Sequence, residues 1–389
     1  MLQVRKYLLL LDSRKAHVKF WRPQMLLMVG NPRSTCPLID FVNDLKKSGL
    51  YVLGHVKLGE LGACEQDLAL EETPHWLALI DHLKVKAFVE LTMARSVREG
   101  MHHLVRLSGL GAMKPNTVIL GFYDYIAPRD FLEGEESSYQ TSTFRHVQEA
   151  SGIPLFGMRD IDSRALSRAE YIGMVCDTLK LQKNVVLCRH FQNLNKASIA
   201  NTRKYIDVWP VNTFCPSELD PFDESSLFML QLACIINMTP SWKKLRLRVM
   251  LCTTANSAMP SSSTIGEEVR IEPESTHIEV RLRHWLQQLR IDATVHQVLW
   301  ETPVSSAESY VDHPAALPSV QSIQGLNHLI HGMSDNTAAT FIYLPPPPSY
   351  KPEDTSTPEN YLSLLTALTE DLPPTVLVRG VSSVISTTL

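Results

Sequence analysis

The sequence predicts an α/β protein built from two tandem doubly wound, mainly parallel sheets with helices on both faces. Three observations predict it. Apolar, β-branched runs without alternation recur, as strands do when helices cover both of their faces. Stretches with an apolar stripe of helical period lie between them. The same alternation of strand and helix then repeats in the second half of the chain.

The pattern is clearest from Arg95 to Asp124. Ser96 followed by Glu99 is an S-x-x-E capping box, so a helix should start there. Val97, Met101, Leu104, Val105 and Leu107 form its apolar stripe, and Gly109 stands where a left-handed residue closes a helix, with Leu110 placed to supply the apolar contact of such a cap. Lys114-Pro115-Asn116 reads as a turn, and Thr117 to Phe122 as a strand covered on both faces.

Taken in order, residues 1–20 read as a basic helical lead-in, either a surface helix or a connector helix from a segment N-terminal to it. Gln24 to Gly30 is a strand, Asn31 to Cys36 a loop, and Pro37 to Lys47 a helix with Pro at its first position and Gly49 behind its end. Tyr51 to Lys57 follows as a parallel strand, completing a right-handed βαβ unit. Glu71 to Leu83 is the next helix and Lys86 to Met93 the third strand. The first subdomain is therefore placed at 21–155, its end set in the polar stretch 125–160, and the second at 156–389. Its predicted helices are 163–181, 227–238, 276–289, 320–333 and 357–371. Its predicted strands are 185–191, 205–211, 245–252, 293–300, 339–344 and 375–379, with mobile loops near 253–273 and 301–318.

Composition narrows the function classes. With 44% hydrophobic and 20% charged residues over 389 positions, each subdomain can bury a proper core. A net charge of -4 gives no general basic field, so nucleic acid is not a predicted partner. The seven cysteines never fall in a C-x-x-C spacing and sit mostly in apolar runs, which suggests reduced thiols in a cytosolic compartment. The start, MLQVRKYLLLLDSRK, lacks the features of a signal peptide, and the longest apolar run, Leu227 to Met238, falls short of the roughly 20 residues that span a bilayer.

Enzyme motifs are absent: no G-x-x-x-x-G-K-[ST], H-E-x-x-H, G-x-S-x-G or G-x-G-x-x-G occurs, and no enzyme is predicted. Ser108-Gly109-Leu110-Gly111 leads out of a helix toward a strand, the wrong polarity for a phosphate loop. A ligand of the first sheet should sit beyond the carboxyl ends of its strands. Two of those ends run into helix N-termini with arginine and hydroxyl residues, which makes Asn31, Arg33, Ser34, Thr35, Arg95 and Ser96 a candidate nucleotide or anion site; ordinary capping with solvated arginines is the alternative. His102 and His103 point about 100° apart on one helix and cannot share a metal without outside ligands. Cys36 stands where a helix terminus could lower a thiol pKa, although a passive thiol is the better reading. Trp242 to Arg248 alternates charge, which suits an edge or solvated face more than a docking surface.

Five strings resemble the C-terminal cytosolic domain of the cation-chloride cotransporters, the solute carrier 12 family, in the right order over nearly the whole chain. They are FWRPQMLLMVGNP (20–32), REGMHHLVRLSGLGAMKPNTVILGFYD (98–124), YIDVWPV (205–211), WKKLRLRVML (242–251) and LTEDLPPTVLVRG (368–380). The short insert between Cys252 and Thr276 is similar to that of members lacking acidic regulatory insertions. The resemblance implies two universal-stress-protein-like sheets forming a regulatory domain on the cytoplasmic face of a membrane transporter that moves chloride with cations through helices not contained in this chain, so that the chain alone cannot transport. It also implies a homodimer, with the membrane transport domain of the parent protein or other cation-chloride cotransporters as partners. No cofactor is required; some members bind ATP in this domain, which makes ATP the ligand to consider at the first-sheet site. A nucleotide-binding sensor of the stress-protein type is the alternative function.

Overall fold

The computed structural model describes residues 23–111, 113–132, 139, 156, 166–210, 222–254, 274–300, 320–349 and 354–381. The predicted connector helix and the loop 301–318 lie outside the described residues, as does all of the loop 253–273 except Thr253 and Thr254, which end a strand. The chain forms two compact units, residues 1–199 and 200–387.

The first unit holds β1 (Met25–Met28), α1 (Pro32–Leu45), β2 (Tyr51–Leu58), α2 (Leu68–His82), β3 (Phe88–Ala94), α3 (Val97–Leu107), β4 (Thr117–Gly121), α4 (Arg168–Lys180) and β5 (Asn184–Arg189). Its strands lie in the order β3-β2-β1-β4-β5, every pair parallel. Right-handed crossovers then put α1 and α2 on one face and α3 and α4 on the other. Met25, Leu26, Leu27 and Val118 to Leu120 are buried, as continuous apolar runs in a doubly covered sheet should be.

The unit boundary differs from the predicted one. β5 pairs with β4 from Thr117↔Asn184 to Gly121↔Cys188, so α4 and β5 complete the first sheet. The sequence sets the boundary in the stretch 125–160 after β4 because its composition is mixed and polar. That stretch is instead part of the β4–α4 connection, tied back to α1 where Arg33 binds the Asp130 carboxylate and the Phe156 carbonyl.

α1 begins five residues before its predicted start. Asn31 caps it, its Oδ1 accepting the Arg33 N–H at 3.0 Å, and Pro32 takes the first helical position, where a missing N–H costs nothing. Pro37 sits inside the helix. Lacking an N–H, it leaves the Arg33 carbonyl without its helical donor, and the Phe131 N–H fills that place at 3.0 Å. Gly49 does not supply the left-handed residue after the helix; Lys47 (φ 28) and Ser48 (φ 69) do. Its role is close approach, since a Cβ there would lie 1.9 Å from the Pro23 carbonyl oxygen.

At α3, Ser96 Oγ accepts the Glu99 N–H at 3.1 Å, while the Glu99 carboxylate reaches the Arg95 N–H at 3.3 Å, one residue upstream of the box position. Gly109 is left-handed (φ 81), and a Cβ on it would meet the Met113 carbonyl at 2.1 Å. Leu110, expected to cover this cap, is 71% exposed.

The second unit holds β6 (Tyr205–Trp209), α5 (Glu224–Asn237), β7 (Arg246–Thr254), α6 (Glu274–Gln288), β8 (Thr294–Trp300), α7 (Val320–Met333), β9 (Thr337–Tyr343), α8 (Ser356–Leu368) and β10 (Thr375–Arg379). Its order is β10-β9-β6-β7-β8, again parallel throughout. With β6 counted as the first strand, this is the topology of the first unit. The alternation of Trp242 to Arg248 resolves into Leu245 and Leu247 buried and Lys243, Lys244 and Arg246 outside. Arg248 turns inward to a bidentate pair with buried Asp207, at 2.7 and 2.8 Å.

Candidate functional site: a switch-point crevice in the first unit

In the first sheet the chain winds away from β1 in both directions, so the loops leaving β1 and β4 diverge and open a crevice at their carboxyl ends. A cavity of about 330 Å³ occupies this place. Its floor is Met28, Val29, His55 and Val56, with Leu120 to Tyr123 from the end of β4. Asn31, Ser34 and Thr35 from the first turn of α1 form one wall, and Val97, Tyr171 and Met174 from α3 and α4 another. Gly30 and Gly121 also line it, and a Cβ on either would meet nothing within 4 Å, so the glycines leave open space there.

The polar groups of the crevice are oriented by the backbone around them. Ser34 Oγ and Thr35 Oγ1 donate to the Asn31 carbonyl at 3.2 and 2.6 Å. His55 Nδ1 lies 2.7 Å from the Val29 carbonyl, which can only accept, so Nδ1 carries the proton of that bond. Its Nε2 faces Glu72 at 3.6 Å, and Glu72 also binds Lys57. The His55 ring packs against Trp76 at 5.0 Å. Tyr171 donates to the Gly121 carbonyl at 3.1 Å and Tyr123 to the Leu166 carbonyl at 3.2 Å, and the two rings meet at 5.7 Å.

The structure brings Asn31, Ser34 and Thr35 of the predicted site together and leaves Arg33, Arg95 and Ser96 away from the cavity lining. Arg33 is buried on the Asp130 carboxylate. Arg95 pairs with Glu60 at 2.6 Å on the surface, its side chain 75% exposed. Ser96 is the N-cap of α3. No lysine or arginine is among the described residues lining the crevice. At the helix terminus Pro32 has no N–H to offer, and that of Arg33 is taken by Asn31. Cys36 is buried, and its thiol is pushed up to about 12 by burial first and by Asp130 second. His55 was not legible as a site residue because it stands inside the strand pattern Tyr51 to Leu58 and becomes a floor residue only through β1–β2 pairing.

The corresponding place in the second unit is built differently among the described residues. There the first turn of α5 packs over the strand ends, Ser226 Oγ donating to the Pro210 carbonyl at 2.6 Å and Ser225 Oγ to the Gly380 carbonyl at 3.2 Å. A Cβ on Gly380 would meet the Glu224 carbonyl at 3.0 Å.

Fold and crevice define a tandem doubly wound α/β protein with an open crevice at the switch point of its first sheet. The family model described as solute carrier family 12 matches residues 35–126. Solute carrier family 12 member 9 of Xenopus laevis is 42% identical over 401 residues, which covers 100% of this chain and 43% of that protein. Its namesake in Homo sapiens is 40% identical over 432 residues, covering 100% and 44%. The crystal structure of the cytoplasmic domain of a prokaryotic cation chloride cotransporter superposes with a TM-score of 0.47 and 13% identity, covering 93% of this chain and 96% of that one. The chain belongs to solute carrier family 12. It spans less than half the length of the two relatives named. Among the described residues no helix is long and apolar enough to cross a membrane.

Proposed function

We propose that the chain is the cytosolic regulatory and dimerisation domain of a cation-chloride symporter-like membrane protein, placed at the cytoplasmic face of the membrane. The parent activity is chloride-coupled cation transport, to which this part contributes control rather than the ion path or any enzymatic step. The reading is supported by the 42% identity that runs through the whole chain to a solute carrier family 12 protein more than twice as long. Its test is a graft. Expressed alone, the chain should leave chloride-dependent cation uptake at background. Put in place of the matched segment of the Xenopus laevis relative, it should support delivery of that protein to its membrane. A graft that folds but leaves the recipient undelivered and inactive would refute the reading.

The crevice favours a second reading, a ligand sensor. Its volume and its apolar, tyrosine-lined walls suit an uncharged ring system of nucleoside size. A triphosphate would find no cationic side chain among the described lining residues, so the adenosine part of ATP is the part this crevice fits. Adenosine and ATP should then raise the melting temperature about equally, whereas a rise with ATP alone would place phosphate recognition elsewhere.

A further inference from the structure

The amino-terminal edge of the first sheet, opposite the crevice, is lysine-rich. The turn into β2 carries Lys46 and Lys47, the turn into β3 Lys84 and Lys86, the turn into β4 Lys114, and the turn into β5 Lys183. No aspartate or glutamate occurs in residues 46–50, 83–87, 108–116 or 181–183. The parallel register sets these turns at one level, with Met25 opposite both Tyr51 and Thr117, Val52 opposite Phe88, and Thr117 opposite Asn184.

Helix dipoles explain part of this. The carboxyl ends of α1 to α4 point at the same edge, each equivalent to roughly half a negative charge, and so offset part of the lysine charge. Two pairs of these lysines crowd each other. Burial first and the Lys86 charge second push the Lys46 amine down to about 8. Lys183 is lowered by burial and by Lys114. An apolar tip rises among them: Leu107 is 77%, Leu110 71% and Met113 38% exposed. The tip is braced by reciprocal Leu110–Met113 backbone hydrogen bonds of 3.1 and 2.9 Å and flanked by exposed Arg106 and Lys114.

We propose that this edge docks on the surface of an anionic lipid bilayer, with Leu107, Leu110 and Met113 entering the headgroup layer and the lysines facing acidic headgroups. The lysines alone would suit any polyanion. The exposed leucines require an apolar phase beside the negative charge, and a bilayer interface supplies both.

The test is co-sedimentation of the purified full chain with phosphatidylcholine vesicles, with and without phosphatidylserine, at low and high salt. Binding should need phosphatidylserine and weaken with salt. Lys86→Glu with Lys114→Glu should weaken it at least about fivefold for each lysine lost. Leu107→Ser with Leu110→Ser should weaken it about tenfold, at an unchanged melting temperature, because both side chains lie mostly in solvent. Failure of the folded chain to bind phosphatidylserine vesicles overturns the proposal. Binding that survives loss of both leucines assigns the surface to a soluble polyanion, and leucine variants that change the mass in solution assign it to a second copy; either result also overturns it.

Discussion

Gly100→Ala joins the fold to the crevice in one substitution. Gly100 lies in α3, and a Cβ built on it would stand 2.4 and 2.6 Å from the two γ-methyls of Val56 and 3.1 Å from its Cβ. Two effects oppose each other. Alanine is favoured over glycine inside a helix by about 1 kcal/mol. Overpacking a filled core costs about 1–3 kcal/mol. The clash should win, because rotating Val56 brings one methyl in as the other leaves, and its Cβ is fixed on β2. We expect a net loss of about 1–2 kcal/mol, or roughly 2–8 °C in the melting of a unit this size. Val56 also lines the crevice, so the displaced side chain narrows it. In a double-mutant cycle, Val56→Ala should cost at least about 1 kcal/mol less in the Gly100→Ala background than alone, because it removes the clash. Urea titration followed by backbone circular dichroism reads all four proteins. A neutral or stabilising Gly100→Ala, or additive costs, would refute the packing assigned to α3 and β2.

Other expectations are read from single substitutions. Arg248→Ala leaves buried Asp207 with Thr337 and without its cation, and should cost about 3–5 kcal/mol in urea at neutral pH, whereas Arg248→Met with Asp207→Leu should recover most of that loss. Burial raises the Asp207 carboxyl despite the Arg248 bonds. A raised acid favours the folded state below its unfolded pKa and loses that contribution as pH rises through the folded value, so the Arg248→Ala defect should shrink toward acid pH. Asp177 has the opposite sign. Burial raises it, but the bonds from Arg98 at 2.6 Å and His102 at 2.8 Å outweigh burial and hold it low. Its contribution is present above the ordinary carboxylate range and lost as pH falls through the lowered value, so wild type and Asp177→Asn should converge in melting temperature only at strongly acid pH. Gly121→Leu should fill open space without backbone strain, leaving the melting temperature nearly unchanged while abolishing any shift by adenosine.

Much of the fold was legible because a doubly covered sheet writes itself as unbroken apolar runs. Thr375 to Arg379 and Val320 to Met333 fall where periodicity puts them. What was hidden depended on contacts far along the chain. The true start of α1 was obscured because Pro37 reads as a helix beginning, and the donor that replaces its missing N–H comes from Phe131. β5 joined the wrong half on paper because only its register with β4 reveals its sheet. The crevice was half legible for a similar reason. Carboxyl strand ends mark the place, and Asn31, Ser34 and Thr35 line it, but charge attracted attention to Arg33 and Arg95, whose partners Asp130 and Glu60 lie 97 and 35 residues away. His55 and Gly121 carry no motif and enter the crevice only through strand order.

Dimerisation is the central claim most open to direct measurement. Light scattering on the purified chain, with and without ATP and Mg²⁺, should return twice the chain mass of 43.8 kDa in both conditions. A monomer across the accessible concentrations, or a dimer that forms only with nucleotide, would contradict the account and favour a nucleotide-driven sensor instead.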